Sequence, residues 1–272
     1  MLVSVIILNY NGARTINECV KSVLNSSLKD LEVIVVDNAS FDKSLNLIKK
    51  YKVKVIRNKK NYGYAEGNNI GIRKARGKYI FLLNNDAYVD KNCLRNLLKN
   101  VKEDTGAAGC KIYYYKSRKM WFSGGHEYIA GIVNNHYLNN KRGYCDYVSG
   151  CAMLLRKSIL NKVGLLNKKY FTYFEETELC RRIRKAGYKI LYEPRAIVYH
   201  DIKKDRLSSN EVYHMFRNRV WYTLGNKKYK LFWKILDFFL FYPLFTLYQV
   251  YKNKKVLYYT KEILRARIDS LK

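Results

Sequence analysis

Acidic residues are scarce in this chain of 272 residues, which has 22 aspartates and glutamates against 52 lysines and arginines. The resulting net charge of +30 implies a polyanionic neighbour, either a nucleic acid, an anionic membrane face or a phosphorylated substrate. The basic clusters flank an apolar segment near the C-terminus, which favours a membrane over a nucleic-acid groove. A content of 48% hydrophobic and 15% aromatic residues excludes a disordered chain.

Several familiar site signatures are missing. The six cysteines include no C-x-x-C pair, and the four histidines lack the spacing of metal ligands, so we expect the cysteines to be reduced core residues. No G-x-G-x-x-G follows the first apolar run and no Walker loop occurs, which disfavours a dinucleotide or P-loop fold. The first strand begins at Leu2 with no charged region or cleavage site before it, and we therefore expect a cytoplasmic protein.

The first hundred residues alternate between short apolar runs and helical patterns. Thr15 and Glu18 have the spacing of a capping box at the start of the first helix. This order predicts an α/β fold with a doubly wound, mostly parallel sheet. The predicted strands are Val3–Leu8, Glu32–Val36, Lys54–Arg57 and Tyr79–Leu83.

Beyond residue 105 the pattern changes to strands and loops. We predict a strand over Tyr147–Leu155, a helix over Glu175–Ala186 and a last strand that ends at His200. We expect one domain over 1–205, divided into a nucleotide-binding half, 1–104, and an acceptor or catalytic half, 105–205. A helical tail, 206–272, is expected to follow.

The tail contains the strongest apolar stretch, Leu231–Tyr251, which is rich in aromatic residues. Its Lys234, Asp237 and Pro243 make it a poor membrane-spanning helix. Lysines on both sides indicate a helix pair in the interface of an anionic membrane, although a hairpin packed on the protein or a dimer contact has the same pattern.

The motif Asn84-Asn85-Asp86 ends the apolar run Tyr79–Leu83. A carboxylate at the carboxyl end of a strand in an open α/β sheet is well placed to hold a hard divalent cation, whose other ligands come from phosphates and water. The same residues are also typical of a strand followed by an Asn/Asp turn, and taken alone they favour that turn.

Three more polar segments follow predicted strands, and all four converge on one crevice in a doubly wound sheet. Asp37 could accept a hydrogen bond from a base N–H or a ribose hydroxyl, although taken alone it is more typical of a turn or helix cap. The candidate ligand-binding residues of these segments are Asn9, Asn11, Asp37, Asn61, Gly63, Asn84 and Asn85.

Three glutamates begin the helix predicted at 175. Any of them could simply stabilise the N-terminal dipole. Glu176 shares a helix face with Leu179 and Ile183, so we expect it to point inward, whereas Glu178 is spaced to pair with Arg182. An inward glutamate near a phosphate crevice is a candidate general base, and we favour Glu176 over Glu175.

His200 could complete a metal site with Asp86, although a lone histidine is more often structural. Taken together, the motifs resemble glycosyltransferase family 2, in its rhamnosyl- and galactofuranosyltransferase-like branch. The matching segments are Val3–Asn11, Val35–Ser40, Asn61–Ala65 with Asn68–Gly71, Leu83–Asp86, Ser149–Met153, Tyr173–Arg182 and the strand end at His200.

This resemblance implies a GT-A fold and transfer of a sugar, with inversion, from a UDP- or dTDP-linked donor to a saccharide or lipid-linked saccharide. It implies that Asp37 reads the base and that Asn84 lies near the ribose. It further implies that Asp86, helped by His200, holds Mg²⁺ or Mn²⁺. Glu176 stands where the family often has Asp as the base.

Two other functions fit parts of the pattern. A sugar nucleotidyltransferase would share the α/β core, but it needs a Gly-rich basic loop after the first strand, which Asn9-Tyr10-Asn11-Gly12 does not supply. A nucleic-acid-binding protein is supported by net charge alone, and no nucleic-acid module is recognisable, so we expect no nucleic-acid partner.

Overall fold

The structure is a computed structural model that describes residues 1–128, 133–202, 208–225, 239 and 260–270. The chain divides into two compact units. The first comprises Met1–His126, Asn134–Phe171 and Glu175–Lys203, and the second comprises Glu127–Val133, Thr172–Phe174 and Lys204–Lys272.

The first unit is built on a mixed, mostly parallel sheet. The strands of the chain are β1 Val3–Asn9, β2 Leu31–Asp37, β3 Lys54–Arg57, β4 Tyr79–Asn84, β5 Ala87–Val89, β6 Thr105–Tyr114, β7 Met120–Phe122, β8 His126–Glu127, β9 Val133–Asn134, β10 Gly143–Tyr144, β11 Ala152–Arg156 and β12 Lys189–His200. The strand order in the main sheet is β10-β12-β6-β11-β4-β1-β2-β3. Neighbours β3, β2, β1 and β4 are all parallel, as are β6 and β12, whereas β11 runs antiparallel to both β4 and β6.

Helices connect the parallel strands, as expected for right-handed crossovers. The helices of this unit are α1 Ile16–Leu24, α2 Ser44–Ile48, α3 Gly63–Lys74, α4 Cys93–Asn100, α5 Lys157–Val163 and α6 Glu175–Lys185. A 3₁₀ turn at Lys168–Tyr170 precedes α6. The predicted α/β class with a doubly wound, mostly parallel sheet is thus confirmed.

The core lies along the central strands. These strands read as continuous apolar runs because a parallel sheet covered by helices is buried on both faces. Ile6, Ile34, Phe81 and Leu82 are completely buried. In contrast, β3 is the edge strand next to β2 and is largely exposed.

Strand register brings the polar ends together at one edge of the sheet. Asn9 lies opposite Asp37 on β2, and Leu8 lies opposite Asn84 on β4. The amide and carboxylate groups that follow these apolar runs are therefore neighbours in space, as the sequence pattern predicts.

Two local predictions are wrong. The strand predicted over Tyr147–Leu155 begins only at Ala152, because the Ser149 hydroxyl accepts a hydrogen bond from the Cys151 amide and forms a local turn. Thr15 is the N-cap residue of α1 but makes no side-chain cap hydrogen bond. Its expected partner Glu18 instead accepts from the Asn17 side-chain amide.

The second unit contains α7, Ser209–Leu224, and α8, Thr260–Asp269, which share a small core of Val212, Phe216, Val220, Ile263 and Ala266. None of the described helices is long and apolar enough to cross a membrane. The apolar stretch Leu231–Tyr251 lies outside the described residues except for Phe239, and so do its flanking lysines.

Candidate active site

A buried hydrogen-bond network joins the ends of β1, β2 and β4. The Asn9 amide nitrogen donates to Asp37 Oδ1 at 2.8 Å and to the Ser44 hydroxyl at 2.9 Å. The side-chain oxygen of Asn9 accepts a hydrogen bond from the side-chain amide of Asn85 at 3.0 Å. Asp37 is 3% exposed, and its other oxygen accepts from the Ser40 backbone amide. Asn9 therefore links three strand ends and orients the Asp37 carboxylate.

Asn11, Asn61 and Gly63 shape the adjoining loops. The Asn11 side chain accepts from the Phe41 amide at 3.0 Å, and Asn61 accepts from the Gly63 amide at 2.8 Å. Gly63 has φ +77°, and a Cβ there would lie 2.5 Å from the Phe171 ring. In this structure these residues fix loop conformation at the sheet edge, and Gly63 is required by both conformation and space.

Asp86 and His200 meet although 114 positions separate them. His200 Nε2 lies 3.0 Å from Asp86 Oδ1, and the Trp121 ring packs against the imidazole with centroids 4.8 Å apart. Burial by itself would lower the pKa of His200, but the neighbouring Cys151 thiol and the hydrogen bond to Asp86 outweigh burial and raise that pKa to about 10. The predicted pairing of these two residues in space is therefore observed.

The donor set of this pair fits a divalent cation that also binds phosphate. Within the described ranges no group of three or more His, Cys, Asp or Glu side chains is arranged to hold a metal. Because a ligating histidine must be neutral, a bound cation would displace the proton that the raised pKa keeps on His200. One carboxylate and one imidazole then leave the other coordination positions to phosphate oxygens and water, as is common for Mg²⁺. The Asp86 side chain is 31% exposed, so phosphate and water can reach it.

Glu175 and Glu176 begin α6, and Glu175 is the more buried of the two, contrary to the prediction that Glu176 is the inward residue. Glu176 is half-buried, although its Oε2 atom is inaccessible to solvent. Glu175 is 4% exposed, and the Glu178 carboxylate pairs with the Arg182 guanidinium as predicted. Burial raises the pKa of Glu175, and the adjacent Glu176 raises it further. Burial also raises the pKa of Glu176, whereas backbone amides, including that of Gly150, lower it. A carboxylate with a raised pKa is a stronger base, which suits proton abstraction.

The loop Ser149–Cys151 lies between the glutamates at the start of α6 and the pair Asp86 and His200. The Gly150 backbone amide lies close enough to the Glu176 carboxylate to lower its pKa, and the Gly150 carbonyl accepts a hydrogen bond from the Tyr64 hydroxyl. The Cys151 carbonyl accepts from the Asn84 amide at 3.0 Å, and its thiol lies beside His200. The end of β4, this loop and the start of α6 thus form one continuous site.

Sequence reasoning missed three residues that the structure adds. Arg14, in the loop after β1, donates two hydrogen bonds to Asp201, which directly follows His200. Tyr64 contacts the Gly150 loop. Asp201 had the signal that singled out Asp86, a carboxylate at a strand end. Tyr64 lies inside the matching segment Asn61–Ala65 but had no role assigned to it, and Arg14 had no signal beyond its place after the first motif.

Solved structures of other proteins share this architecture and identify the fold class of the chain. GalNAc-T7, crystallised with UDP, GalNAc and Mn²⁺, matches with a TM-score of 0.70 at 19% identity over 82% of this chain and 48% of its own. Residues 1–349 of Staphylococcus aureus TarS with UDP-GlcNAc match with a TM-score of 0.66 at 18% identity over 100% of this chain and 80% of that one. The fold is the GT-A fold.

Sequence comparison then gives the family. The model of glycosyl transferase family 2 matches residues 4–164, and the chain belongs to that family. It is 34% identical to the cholesterol galactosyltransferase of Borreliella burgdorferi over 116 residues, which are 41% of this chain and only 32% of that relative. It is 28% identical to the poly(ribitol-phosphate) β-N-acetylglucosaminyltransferase TarP of Staphylococcus aureus over 256 residues, 85% of this chain and 72% of TarP.

Proposed function

We propose that this protein is an inverting glycosyltransferase that moves a sugar from a UDP- or dTDP-linked donor to a hydroxyl of a saccharide or lipid-linked saccharide in cell-surface glycan synthesis. The observation that carries the proposal is the Ser149–Cys151 loop, which lies between the half-buried Glu176 and the pair Asp86 and His200. Family membership supports the same reaction class. The rhamnosyl- or galactofuranosyl-like branch stays a prediction.

The donor binds at the edge where β1, β2 and β4 end. Asp37, oriented by Asn9, reads the base, and Asn84 lies at the ribose. Asn85 braces this arrangement through Asn9, while Asn11, Asn61 and Gly63 hold the two loops that border it. Support comes from TarS, a structure of the same fold that was solved with UDP-GlcNAc.

Asp86 and His200 hold Mg²⁺ or Mn²⁺. When bound, the cation stabilises negative charge on the departing diphosphate. The donor set fits this role because a carboxylate and an imidazole lie 3.0 Å apart and Asp86 is partly exposed. Mn²⁺ is also present in the GalNAc-T7 structure.

Glu176 is the general base of transfer. Its carboxylate takes the proton of the acceptor hydroxyl while that oxygen attacks the anomeric carbon from the face opposite the diphosphate. The bond from the anomeric carbon to the phosphate oxygen breaks, its electron pair leaves with the nucleoside diphosphate, and the new glycosidic bond has inverted configuration. The Gly150 amide orients the Glu176 carboxylate for this step.

Residues 1–205 form the catalytic domain, with donor binding in 1–104 and acceptor binding in 105–205. The tail, 206–272, attaches the protein to the anionic inner face of the cell membrane, with the protein in the cytoplasm. Lysines 227, 228 and 230 on one side of the apolar stretch and 252, 254 and 255 on the other support this role, because such clusters attract anionic lipids. Co-sedimentation with vesicles should be strong for phosphatidylglycerol and weak for phosphatidylcholine, and alanine at all six lysines should abolish the difference.

Thermal-shift screening tests the donor assignment. UDP-, dTDP- and GDP-sugars are compared with and without Mn²⁺ on the full chain. We expect one nucleotide class to raise the melting temperature, and Mn²⁺ to increase that shift. If no nucleotide sugar stabilises the protein under any condition, the transferase assignment is wrong.

A further inference from the structure

An ion pair ties the loop after β1 to the end of β12. The Arg14 guanidinium donates to the Asp201 carboxylate through Nη1 and to the Asp201 backbone carbonyl through Nη2, the latter at 2.8 Å. The two residues are 187 positions apart in sequence. The Asp201 side chain is 8% exposed and that of Arg14 37%, so the carboxylate is largely shielded from water whereas the guanidinium is partly exposed.

Asp201 is also bonded directly to the proposed cation site. It follows His200, and its backbone amide donates to the Asp86 carbonyl at 2.8 Å. Tyr88 on β5 adds a third hydrogen bond, from its hydroxyl to Asp201 Oδ2 at 3.4 Å. Asp201 therefore contacts the backbone of Asp86 and is covalently joined to His200.

The orientation of the Asp201 carboxylate decides between two roles. A carboxylate next to His200 and beside Asp86 is the natural third ligand for a divalent cation. Here, however, its Oδ2 atom accepts from both Arg14 and Tyr88, and the positive guanidinium cancels its charge. These contacts engage the Asp201 carboxylate, so it serves here as a brace, a residue that supports the cation site without touching the cation.

From this geometry we propose that Arg14 and Asp201 are positioning residues that hold Asp86 and His200 in the arrangement that binds the cation. The proposal rests on the proposed function, since it assumes a cation at Asp86 and His200. Groups that orient metal ligands without touching the metal commonly contribute 10- to 100-fold in metal affinity. The pair acts on both ligands at once, because Asp201 is covalently joined to His200 and hydrogen-bonded to the backbone of Asp86.

The experiment measures Mn²⁺ affinity of the full-length protein, by electron paramagnetic resonance of free Mn²⁺, with Mn²⁺ alone and with Mn²⁺ plus UDP. The variants are Asp201→Asn and Arg14→Lys. Glu193→Gln is the matched control, since Glu193 is also a buried carboxylate of β12 paired with an arginine, Arg142. Melting temperatures are measured in parallel, because breaking either ion pair costs stability.

We expect Asp201→Asn to weaken Mn²⁺ binding about 10- to 100-fold. Arg14→Lys keeps the charge but loses the second hydrogen bond, so its loss should be smaller. Glu193→Gln should lower the melting temperature without changing Mn²⁺ affinity. Should Asp201→Asn fail to fold, Arg14→Lys still decides the question by the same measurement.

Three results would overturn the inference. Mn²⁺ affinity in Asp201→Asn within about twofold of wild type means that no brace is needed. An equal loss in Glu193→Gln means that the effect is general destabilisation. If Arg14→Lys weakens the UDP affinity that is measured in the absence of Mn²⁺, Arg14 binds phosphate directly. If the wild-type protein binds no Mn²⁺ even with UDP, the cation site itself is wrong, which is a distinct failure.

Discussion

The Asn9 amide donates to the Asp37 carboxylate at 2.8 Å, across two neighbouring parallel strands. The same nitrogen also lies within hydrogen-bond distance of the Ser40 and Ser44 hydroxyls. One completely buried side chain thus holds the strand end that carries Asp37 and the loop that follows it. Such a network organises this edge before any ligand arrives, which would limit the entropy lost when the proposed donor binds there.

Asn9→Asp tests this network. The substitution replaces a donor with a carboxylate, leaves buried acceptors unpaired and puts like charges beside each other at Asp37. We expect a loss of at least about 1–3 kcal/mol in the free energy of unfolding, measured with urea. Asn46→Asp, at an exposed position of α2, is the control and should change that free energy little. Equal stability of the two variants would contradict the network's role.

Glu176→Gln tests the general base. The amide is close to the same size but cannot take a proton, so donor binding should persist while the transfer rate falls by about 10²- to 10⁴-fold. Because burial raises the pKa of Glu176, the wild-type rate should fall on acidification at a pH above the ordinary glutamate range. Donor-sugar turnover and isothermal titration with the donor measure the two effects. Glu178→Gln, paired with Arg182 on the same helix, should keep its activity.

Asp86→Ala tests the cation site. Removing the carboxylate should abolish the part of the UDP affinity that depends on Mn²⁺, since the phosphates then lose the cation they share with Asp86. The UDP affinity measured without Mn²⁺ should stay intact. Titration calorimetry with UDP, run with and without Mn²⁺, separates the two. Asp90→Ala, at a nearby turn, serves as the control and should retain the Mn²⁺ effect. A Mn²⁺ effect in Asp86→Ala equal to that in wild type would refute the assignment.

Gly63→Ala tests the start of α3. Any L-residue at φ +77° is strained by about 1–2 kcal/mol, and here the new Cβ also meets the Phe171 ring. Gly187→Ala is the matched control, because Gly187 has φ +87° and no atom would lie within 4 Å of a Cβ added there. Both should lower the free energy of unfolding, and Gly63→Ala should lower it more. Equal losses would show that the Phe171 contact relaxes freely.

Glu175→Gln tests the buried acid beside the base. Its pKa is raised in the folded protein by burial and by Glu176, so wild-type stability is fully present below the unfolded pKa of about 4.5 and is lost as pH rises through the folded value. The glutamine cannot ionise, so the variant should lose less stability than wild type between pH 5 and neutral pH. Melting temperatures across that range measure the difference, and parallel curves for both proteins would contradict it.

Much of the fold could be predicted from sequence. Buried parallel strands produce continuous apolar runs, and the runs at Val3–Leu8 and Tyr79–Leu83 agree with β1 and β4 to within a residue. Turn chemistry was harder to read. The strand predicted from Tyr147 begins at Ala152, because a single side-chain hydrogen bond at Ser149 competes with strand pairing.

The sequence by itself determined which residues end the strands, and so which polar groups share the edge of the sheet, because an apolar run must stop where burial stops. It predicted that Glu176 points inward, whereas in the structure Glu175 is the buried glutamate and Glu176 is half-buried. Only the tertiary structure decided what these groups touch. The Ser149–Cys151 loop lies between Glu176 and the pair Asp86 and His200, and Asp201 forms an ion pair with Arg14. These contacts join segments that are far apart in the chain. Such contacts depend on how strands and loops pack, which no local pattern encodes.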